Sequence, residues 1–371
     1  MQSAQDVIQT DLDLIVKNLA NEFAKMSGSN LLIAGGAGFL GHYLVQGALH
    51  WNFRNPKADP IRVTVLDNYV RGLPGWLDAL LASNENLWCY RHDITQPLPE
   101  GLGNFEYIIH AASIASPIYY RRCPIETMDA NVSGLRHMLN YCEAQAKYGF
   151  PVKGMLFYSS SEIYGDPSPD AIPTPETYRG LVSCTGPRAC YDESKRYGET
   201  LCVNFAQQRG IAVKVARPFN NYGPGLKISD RRVIPDFARD ILEGRDIIML
   251  SDGSPKRTFC YVADAVIGYL KILVAGRPGE AYNIGVEKPE ISMEGLAAKM
   301  VNLGDRLFDY QGKVVVGESA DADYLIDNPN RRCPIITKAR TELGYDPEVT
   351  LDEGLLRSMI WYGENRQAVD A

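Results

Sequence analysis

The chain has 371 residues, 45% of them hydrophobic, and a formal net charge of −7. That length buries a large core in one big domain or two lobes, and an acidic balance with no long basic run excludes a nucleic-acid-binding surface. No apolar run reaches about 18 residues, so no membrane span is expected, and the acidic N-terminus lacks a signal-peptide profile. The eight cysteines include no C-x-x-C pair. Their spacing suggests neither a zinc site nor a dense disulfide framework, so no bound metal is expected and reduced thiols in the cytoplasm are the simplest reading.

Residues 1–28 are expected to form one amphipathic helix, an N-terminal extension. Leu12, Leu14, Ile15, Leu19, Phe23 and Met26 recur at roughly helical spacing before Ser27-Gly28-Ser29 breaks the pattern. Residues 29–217 read as a dinucleotide-binding unit. A strand over 31–34 runs into the turn Gly35-Gly36-Ala37-Gly38-Phe39-Leu40-Gly41, and a helix follows over 42–49. Glycines at 35, 38 and 41 let the backbone approach a pyrophosphate, whose charge the helix N-terminus meets; Phe39 and Leu40 belong to the same turn. A second strand over 62–66 ends at Asp67, with Asn68 beside it. Asp67 stands 26 residues after Gly41, about where an acid accepts the adenosine ribose hydroxyls. It would repel a 2′-phosphate, so NAD is expected over NADP, although Arg71 is close by. A short strand near 88–90 leads to Asp93 and Ile94, with Asp93 placed for the adenine amino group. A strand over 107–113 ends in Ala111, Ala112 and Ser113, small enough to leave room for the cofactor. Residues 114–120 read as a loop and 127–148 as mostly helix. His110 reads as a packed histidine within its strand.

An apolar strand over 154–158 turns polar at Ser159-Ser160-Ser161-Glu162, at the strand end where open α/β sheets hold ligands. The next helix, 191–209, starts with Tyr191 and Lys195 on one face. An ammonium beside a phenol favours the phenolate, so Tyr191 is expected to act as a base below its ordinary pKa of about 10. A strand over 212–217, irregular chain with Arg231 and Arg232, a helix over 234–243, short strands over 247–250 and 281–285, and a last helix from about 352 complete the chain. Residues 218–371 are read mainly as a substrate lobe, with about 255–285 returning to the dinucleotide-binding unit. The fold class is therefore α/β: a doubly wound parallel (Rossmann) sheet with a smaller, interleaved C-terminal α/β lobe.

Tyr191-x-x-x-Lys195, the glycine-rich turn and Ser160-Ser161-Glu162 together resemble the extended short-chain dehydrogenase/reductase family (NAD-dependent epimerase/dehydratases) acting on nucleotide sugars, from about residue 31 to 356. Ala115-Ser116-Pro117 with Tyr120, the 161–167 and 175–178 stretches, Gly186-Pro187-Arg188-Ala189-Cys190-Tyr191-Asp192-Glu193 and Lys256-Arg257-Thr258-Phe259 are most similar to its UDP-glucuronate decarboxylase (UDP-xylose synthase) branch. Ser160 stands where that branch usually has Thr. The resemblance implies that Tyr191 takes the C4 hydroxyl proton as NAD takes the hydride, with Lys195 on the nicotinamide ribose and Ser160 on the C4 oxygen. The 4-ketone turns the C5 carboxylate into a β-keto acid; Glu162 and Arg257 serve its loss as CO2 and the reprotonation, before NADH returns the hydride. Ser161 replaces the Asp of 4,6-dehydratases, and Glu162 is usually absent from simple 4-epimerases; those two activities stay the alternatives, with a non-catalytic NAD-binding protein as a third. Substrate contacts are assigned to Pro117, Tyr120, Glu162, Asn220, Arg232, Arg257 and Arg332, with Arg217 a further phosphate candidate. The substrate is a nucleotide sugar, expected to be UDP-linked. A homodimer through the helix beginning near 191 and the one within 127–148 is also implied.

Overall fold

Alternating apolar side chains build the centre of the molecule. In β1 (Asn30–Ala34), Leu31 and Ile33 face one way and Leu32 and Ala34 the other, and all four are fully buried. The computed structural model describes residues 2–319, 323 and 326–365. It places β1 among seven strands: β2 (Arg62–Asp67), β3 (Leu87–Arg91), β4 (Tyr107–His110), β5 (Gly154–Tyr158), β6 (Val213–Pro218) and an edge strand at Ala281–Ile284. The order is Ala281–Ile284, β6, β5, β4, β1, β2, β3, and every pairing is parallel. The chain starts mid-sheet and winds outward in both directions. The strand order therefore reverses between β1 and β4, and a crevice opens beyond their C-terminal ends. This is the doubly wound parallel sheet expected from the sequence.

Helices follow in chain order as α1 (Ala4–Asn18), α2 (Ala20–Met26), α3 (Phe39–Arg54), α4 (Gly75–Ser83), α5 (Pro117–Arg122), α6 (Pro124–Asp129), α7 (Leu135–Lys147), α8 (Ala189–Arg209), α9 (Val233–Leu242), α10 (Val262–Ala275), α11 (Met293–Phe308), α12 (Thr337–Leu343) and α13 (Leu351–Glu364). Leu32, Ile108, Met155, Phe157 and Val213 belong to one core with Leu135, Met138 and Leu139 of α7 and Leu201 and Phe205 of α8. Leu31, Ile33, Val63, Val65 and Ile109 belong to a second core with α1, α3 and α10. Beyond β6, the strand Lys256–Arg257 lies between antiparallel Ile291–Ser292 and parallel Arg331–Arg332. That register sets Arg257 directly beside Arg332. Among the described residues no helix is long and apolar enough to cross a membrane.

Three local expectations are corrected. The N-terminal segment is two helices, broken at Leu19 (φ −114°, ψ 18°). The break turns Phe23 toward Trp51, with ring centroids 6.0 Å apart. Residues 114–120 are not all loop: α5 begins at Pro117, a position in the first turn where a missing N–H leaves no bond unmade. The helix expected over 127–148 begins at Pro124 and passes through a π turn at Ala130–Gly134, where Asn131 Nδ2 donates to Ser194 Oγ of α8 at 2.9 Å.

The N-terminal helices are built into this body. Asp11 of α1 is fully buried and accepts from Tyr43 Oη (2.6 Å) of α3, Tyr261 Oη (2.6 Å) and Arg357 Nη1 (2.7 Å) of α13. Removing the carboxylate by Asp11→Ala strands two phenols and a guanidinium away from water. The expected loss is about 3–5 kcal/mol, a fall of several degrees in Tm. An unchanged melting curve by calorimetry would show that α1 contributes little to the fold.

Candidate active site

The crevice at the strand ends is a cleft of about 1780 Å³. Its floor demands glycine. Gly35 has φ +83°, and a Cβ there would lie 2.6 Å from Ala112 N; at Gly41 a Cβ would lie 2.2 Å from Gly36 O. Only bare backbone lets β1, the start of α3 and the end of β4 come so close. Gly38 caps α3, and Gly35, Gly38, Phe39, Leu40 and Gly41 all line the cleft, with the α3 N-terminus opening into it.

The acidic end follows along β2 and β3. Asp67 Oδ2 accepts from Ala37 N (3.0 Å) and Oδ1 from Tyr69 N (2.9 Å), which fixes the carboxylate; burial raises its pKa. Asn68 Oδ1 accepts from Val70 N (3.1 Å). Asp93 accepts from Thr95 N (3.0 Å) and Oγ1 (2.8 Å), and the backbone bond chiefly holds it below the ordinary carboxylate range. Ile94, Ala111, Ala112 and Ser113 line the same cleft, and Ser113 Oγ is buried with no hydrogen-bond partner among the described residues. A glycine cradle, an oriented carboxylate and an unmet hydroxyl fit a dinucleotide. Arg71 turns away from Asp67, pairing with Asp230 Oδ2 (3.0 Å) over the Tyr119 ring (5.7 Å).

At the far end, α8 presents Tyr191 and Lys195 to the end of β5, as the four-residue spacing requires. Tyr191 is 6% exposed, stacks on Tyr120 (centroids 5.0 Å, 13°) and hydrogen-bonds with Ser160. Lys195 Nζ donates to Tyr158 O (2.8 Å) and sits 5.5 Å from the Tyr191 ring centre. The expected depression of the phenol pKa is not met. Burial pushes Tyr191 up to about 12, outweighing the bond with Ser160 and the charge of Arg232. Burial also brings Lys195 down to about 7, so its ammonium is itself weakened. Ser160 Oγ accepts from Glu162 N (3.1 Å), capping the one-turn helix Ser161–Tyr164.

Glu162 is clamped. Its Oε2 pairs with Arg188 and its Oε1 with Arg332, whose Nη1 also donates to Ser161 Oγ (3.2 Å). Burial opposes the charge, but Arg188, Arg332 and Arg257 hold the carboxyl at about 2. The three guanidinium groups thus favour the ionised form of Glu162. Arg257 is bound by Lys256 O (2.8 Å), Asn328 Oδ1 (3.3 Å) and Pro329 O. Burial and the neighbouring guanidinium of Arg332 lower its pKa to about 10.

Pro117, Tyr120, Asn220 and Arg232 also line the cleft. Tyr120 Oη is buried without a hydrogen-bond partner among the described residues. Asn220 Nδ2 is used by Thr258 O (2.8 Å), and Arg232 Nε pairs with Asp230 Oδ1 (3.0 Å). Arg332 stands behind Glu162 rather than on the cleft wall. Arg217 is elsewhere: it grips Glu199 (2.9 and 2.6 Å), Tyr164 Oη and Glu176 O, which leaves it no part in phosphate binding. The sequence reading omitted Arg188 and Asp192, although Arg-x-x-x-Asp at the start of a helix that also carries Tyr191 is a readable ion-pair spacing.

A doubly wound sheet with this glycine turn and a buried Tyr-x-x-x-Lys pair defines an NAD-dependent enzyme of the extended short-chain dehydrogenase/reductase type. The model of the NAD dependent epimerase/dehydratase family matches residues 31–285, and the chain belongs to that family. It is 36% identical over 341 residues to UDP-glucuronic acid decarboxylase 5 of Arabidopsis thaliana, covering 91% of this chain and 90% of that one. It is 34% identical over 335 residues to UDP-glucuronic acid decarboxylase 1 of Xenopus tropicalis, covering 90% and 72%. The structure of UDP-glucose 4-epimerase from Thermotoga maritima with UDP-glucose superposes with a TM-score of 0.75 at 26% identity, over 91% of this chain and all of that one.

Asp67→Ala should weaken NAD binding and narrow its advantage over NADP, because acceptor and repulsion are lost together. Fluorescence titration with both cofactors tests this; an unchanged preference would reduce Asp67 to a turn-forming residue.

Proposed function

We propose that the chain converts UDP-glucuronate to UDP-xylose, or to the 4-keto pentose, by C4 oxidation, loss of CO2 and re-reduction. The observation that carries this reading is the charge at the Tyr191 end of the cleft. Arg188, Arg257 and Arg332 cluster about Glu162, the one ionised carboxylate paired with them among the described residues, with Asp166 and Asp327 contributing less; Asp192 is held neutral at pH 7, because burial and the charge of Glu162 raise it to about 8. Buried guanidinium groups in such excess call for another anion. A hexuronate supplies it at C5, next to the C4 hydroxyl that Tyr191 and Ser160 would face. A neutral hexose such as UDP-glucose does not, whereas a 4-epimerase acting on UDP-glucuronate, like that of Bacillus cereus, meets the same anion and is separated by its product. Relatives named UDP-glucuronic acid decarboxylase, at 33–36% identity over most of the chain, support the same substrate.

When bound, NAD takes the C4 hydride and later gives it back, and its positive ring favours the Tyr191 phenolate. The chain does the rest. Tyr191 accepts the C4 hydroxyl proton, and Lys195, fixed by Tyr158 O, holds the ribose and adds positive charge beside the phenolate. With C4 a ketone, the C5–C6 bond breaks, CO2 leaves, and the electron pair moves onto the C4 oxygen. Ser160 and the protonated Tyr191 stabilise that enolate, C5 takes a proton from solvent, and the resulting 4-ketone can receive the returning hydride. Arg257 and Arg188 orient the carboxylate, while ionised Glu162 fixes the guanidinium groups rather than donating a proton.

The finer assignments belong to the same proposal. Asn220 and Arg232 contact the nucleotide diphosphate, with Pro117 and Tyr120 against the sugar. Eight free cysteines suit a reducing, cytoplasmic setting. The outer faces of α8 and of the 124–147 helical run pair with their copies in a homodimer. Tyr197 and Ile125, left 47% and 60% exposed, support this.

Three measurements test the proposal. Incubation with UDP-glucuronate should release CO2 and give a pentose product by mass; an isomer of unchanged mass would put the epimerase reading ahead. Tyr191→Phe should abolish turnover while NAD binding persists; residual activity above about a tenth, a barrier change below about 1.4 kcal/mol, removes Tyr191 as base. Light scattering at micromolar concentration should give the dimer mass, and a monomer mass refutes the homodimer.

A further inference from the structure

We propose that Asp192 is a positioning residue for the sugar carboxylate, standing behind Arg188 as its second acceptor and setting the reach and net charge with which that guanidinium meets the sugar acid. The inference rests on the decarboxylase reading and deepens it. Arg188 is 5% exposed and Asp192 4%, one turn apart on α8. Arg188 gives Nη2 to Glu162 and lays its guanidinium over the Tyr120 ring at 5.9 Å. Its Nε faces Asp192 Oδ2 at 3.9 Å, too far for a hydrogen bond. Arg188 Nε and Asp192 Oδ1 are both buried without hydrogen-bond partners among the described residues. Buried polar atoms are normally satisfied, and here an unmet donor stands 3.9 Å from Oδ2 of a carboxyl whose other oxygen, Oδ1, is also unmet. That is the geometry of a guanidinium with two stations. Arg188 and Glu162 line the cleft; Asp192 does not. A carboxylate entering in front of Glu162 crowds like charge against it, and Arg188 can turn between the two by closing on Asp192.

The groups facing Asp192 are Glu162, Arg188, Arg332 and Asp327, with Cys190, Tyr191 and the phenol of Tyr120 nearby. Burial and the charge of Glu162 hold the Asp192 proton on until about pH 8. Below that pH Glu162 is the one ionised carboxylate paired with Arg188 and Arg332 among the described residues, with Asp327 contributing less. Above it a second negative charge stands behind Arg188, and the pull on the sugar carboxylate falls.

The test isolates that carboxylate. UDP-glucuronate and UDP-xylose share nucleotide and ring and differ only in it. Their dissociation constants are measured by calorimetry on the NADH-loaded protein, which cannot take a hydride from C4 and so turns over neither ligand, from about pH 7 to about pH 9.5. Titration of Tyr191 or Lys195 touches both ligands and largely cancels in the ratio. The wild-type preference for UDP-glucuronate should fall about threefold or more across that range, and Asp192→Asn should make it flat. A flat wild-type ratio, or an unaltered slope in Asp192→Asn, overturns the role of Asp192. No preference for UDP-glucuronate at pH 7 overturns the decarboxylase reading itself. The wild-type slope needs no variant, and Asp192→Ser, checked by circular dichroism, repeats the test if the Asn protein fails to fold.

Discussion

Everything at the reactive end of the cleft depends on keeping one carboxylate ionised inside the protein. Burial alone would protonate Glu162; two guanidinium contacts and a third positive charge reverse that. The contributors come from separate parts of the chain: the end of β5, the start of α8, and the paired strands Lys256–Arg257 and Arg331–Arg332. None of these charges is tolerable without the others, since an unpaired buried ion costs several kcal/mol. The site is therefore assembled from segments on both sides of β6 in the chain. The Lys256–Arg257 strand carries this coupling in a few residues, because its register fixes where Arg257 stands relative to Arg332.

The parts of this arrangement that were legible in the sequence are those set by local spacing. The glycine turn, the acid at the end of β2, the polar end of β5 and Tyr191 with Lys195 each follow from a short period or a fixed offset, and the doubly wound parallel sheet follows from alternating strands and helices. What was missed depended on distant partners or on missing contrast. α10 is buried nearly all round, so it has no polar face for a periodicity to show. Arg217 looked like an anion binder because arginine alone does; its partner Glu199 lies on α8 and is met only in three dimensions. Arg188 was passed over for the opposite reason: its neighbours in sequence drew attention to the tyrosine, while its function lies with Glu162.

The N-terminal helices teach the same lesson about burial. The pattern of apolar residues predicted a surface to be covered but not what would cover it. Asp11 decides the matter. A carboxylate in the middle of an apolar stripe is costly unless matched, and here α3, Tyr261 and α13 all supply donors to it. One polar residue thus ties the start of the chain to its last helix, and the first strand of the sheet begins from an anchored position.

The balance at Tyr191 shows why the cleft is built from buried parts at all. Burial raises the phenol to about 12 and lowers Lys195 to about 7, so the tyrosine is not poised to take a proton in the free chain. The same low-dielectric setting strengthens any charge brought into the cleft. A cationic ring beside the tyrosine acts through little screening solvent and favours the phenolate far more than it would at a wet surface. The Tyr120 stack and the Tyr158 carbonyl keep both side chains in place until then. In the proposed mechanism, the desolvation that makes the tyrosine a poor base on its own makes its basicity conditional on the cofactor, which would confine proton abstraction at C4 to complexes able to accept the hydride.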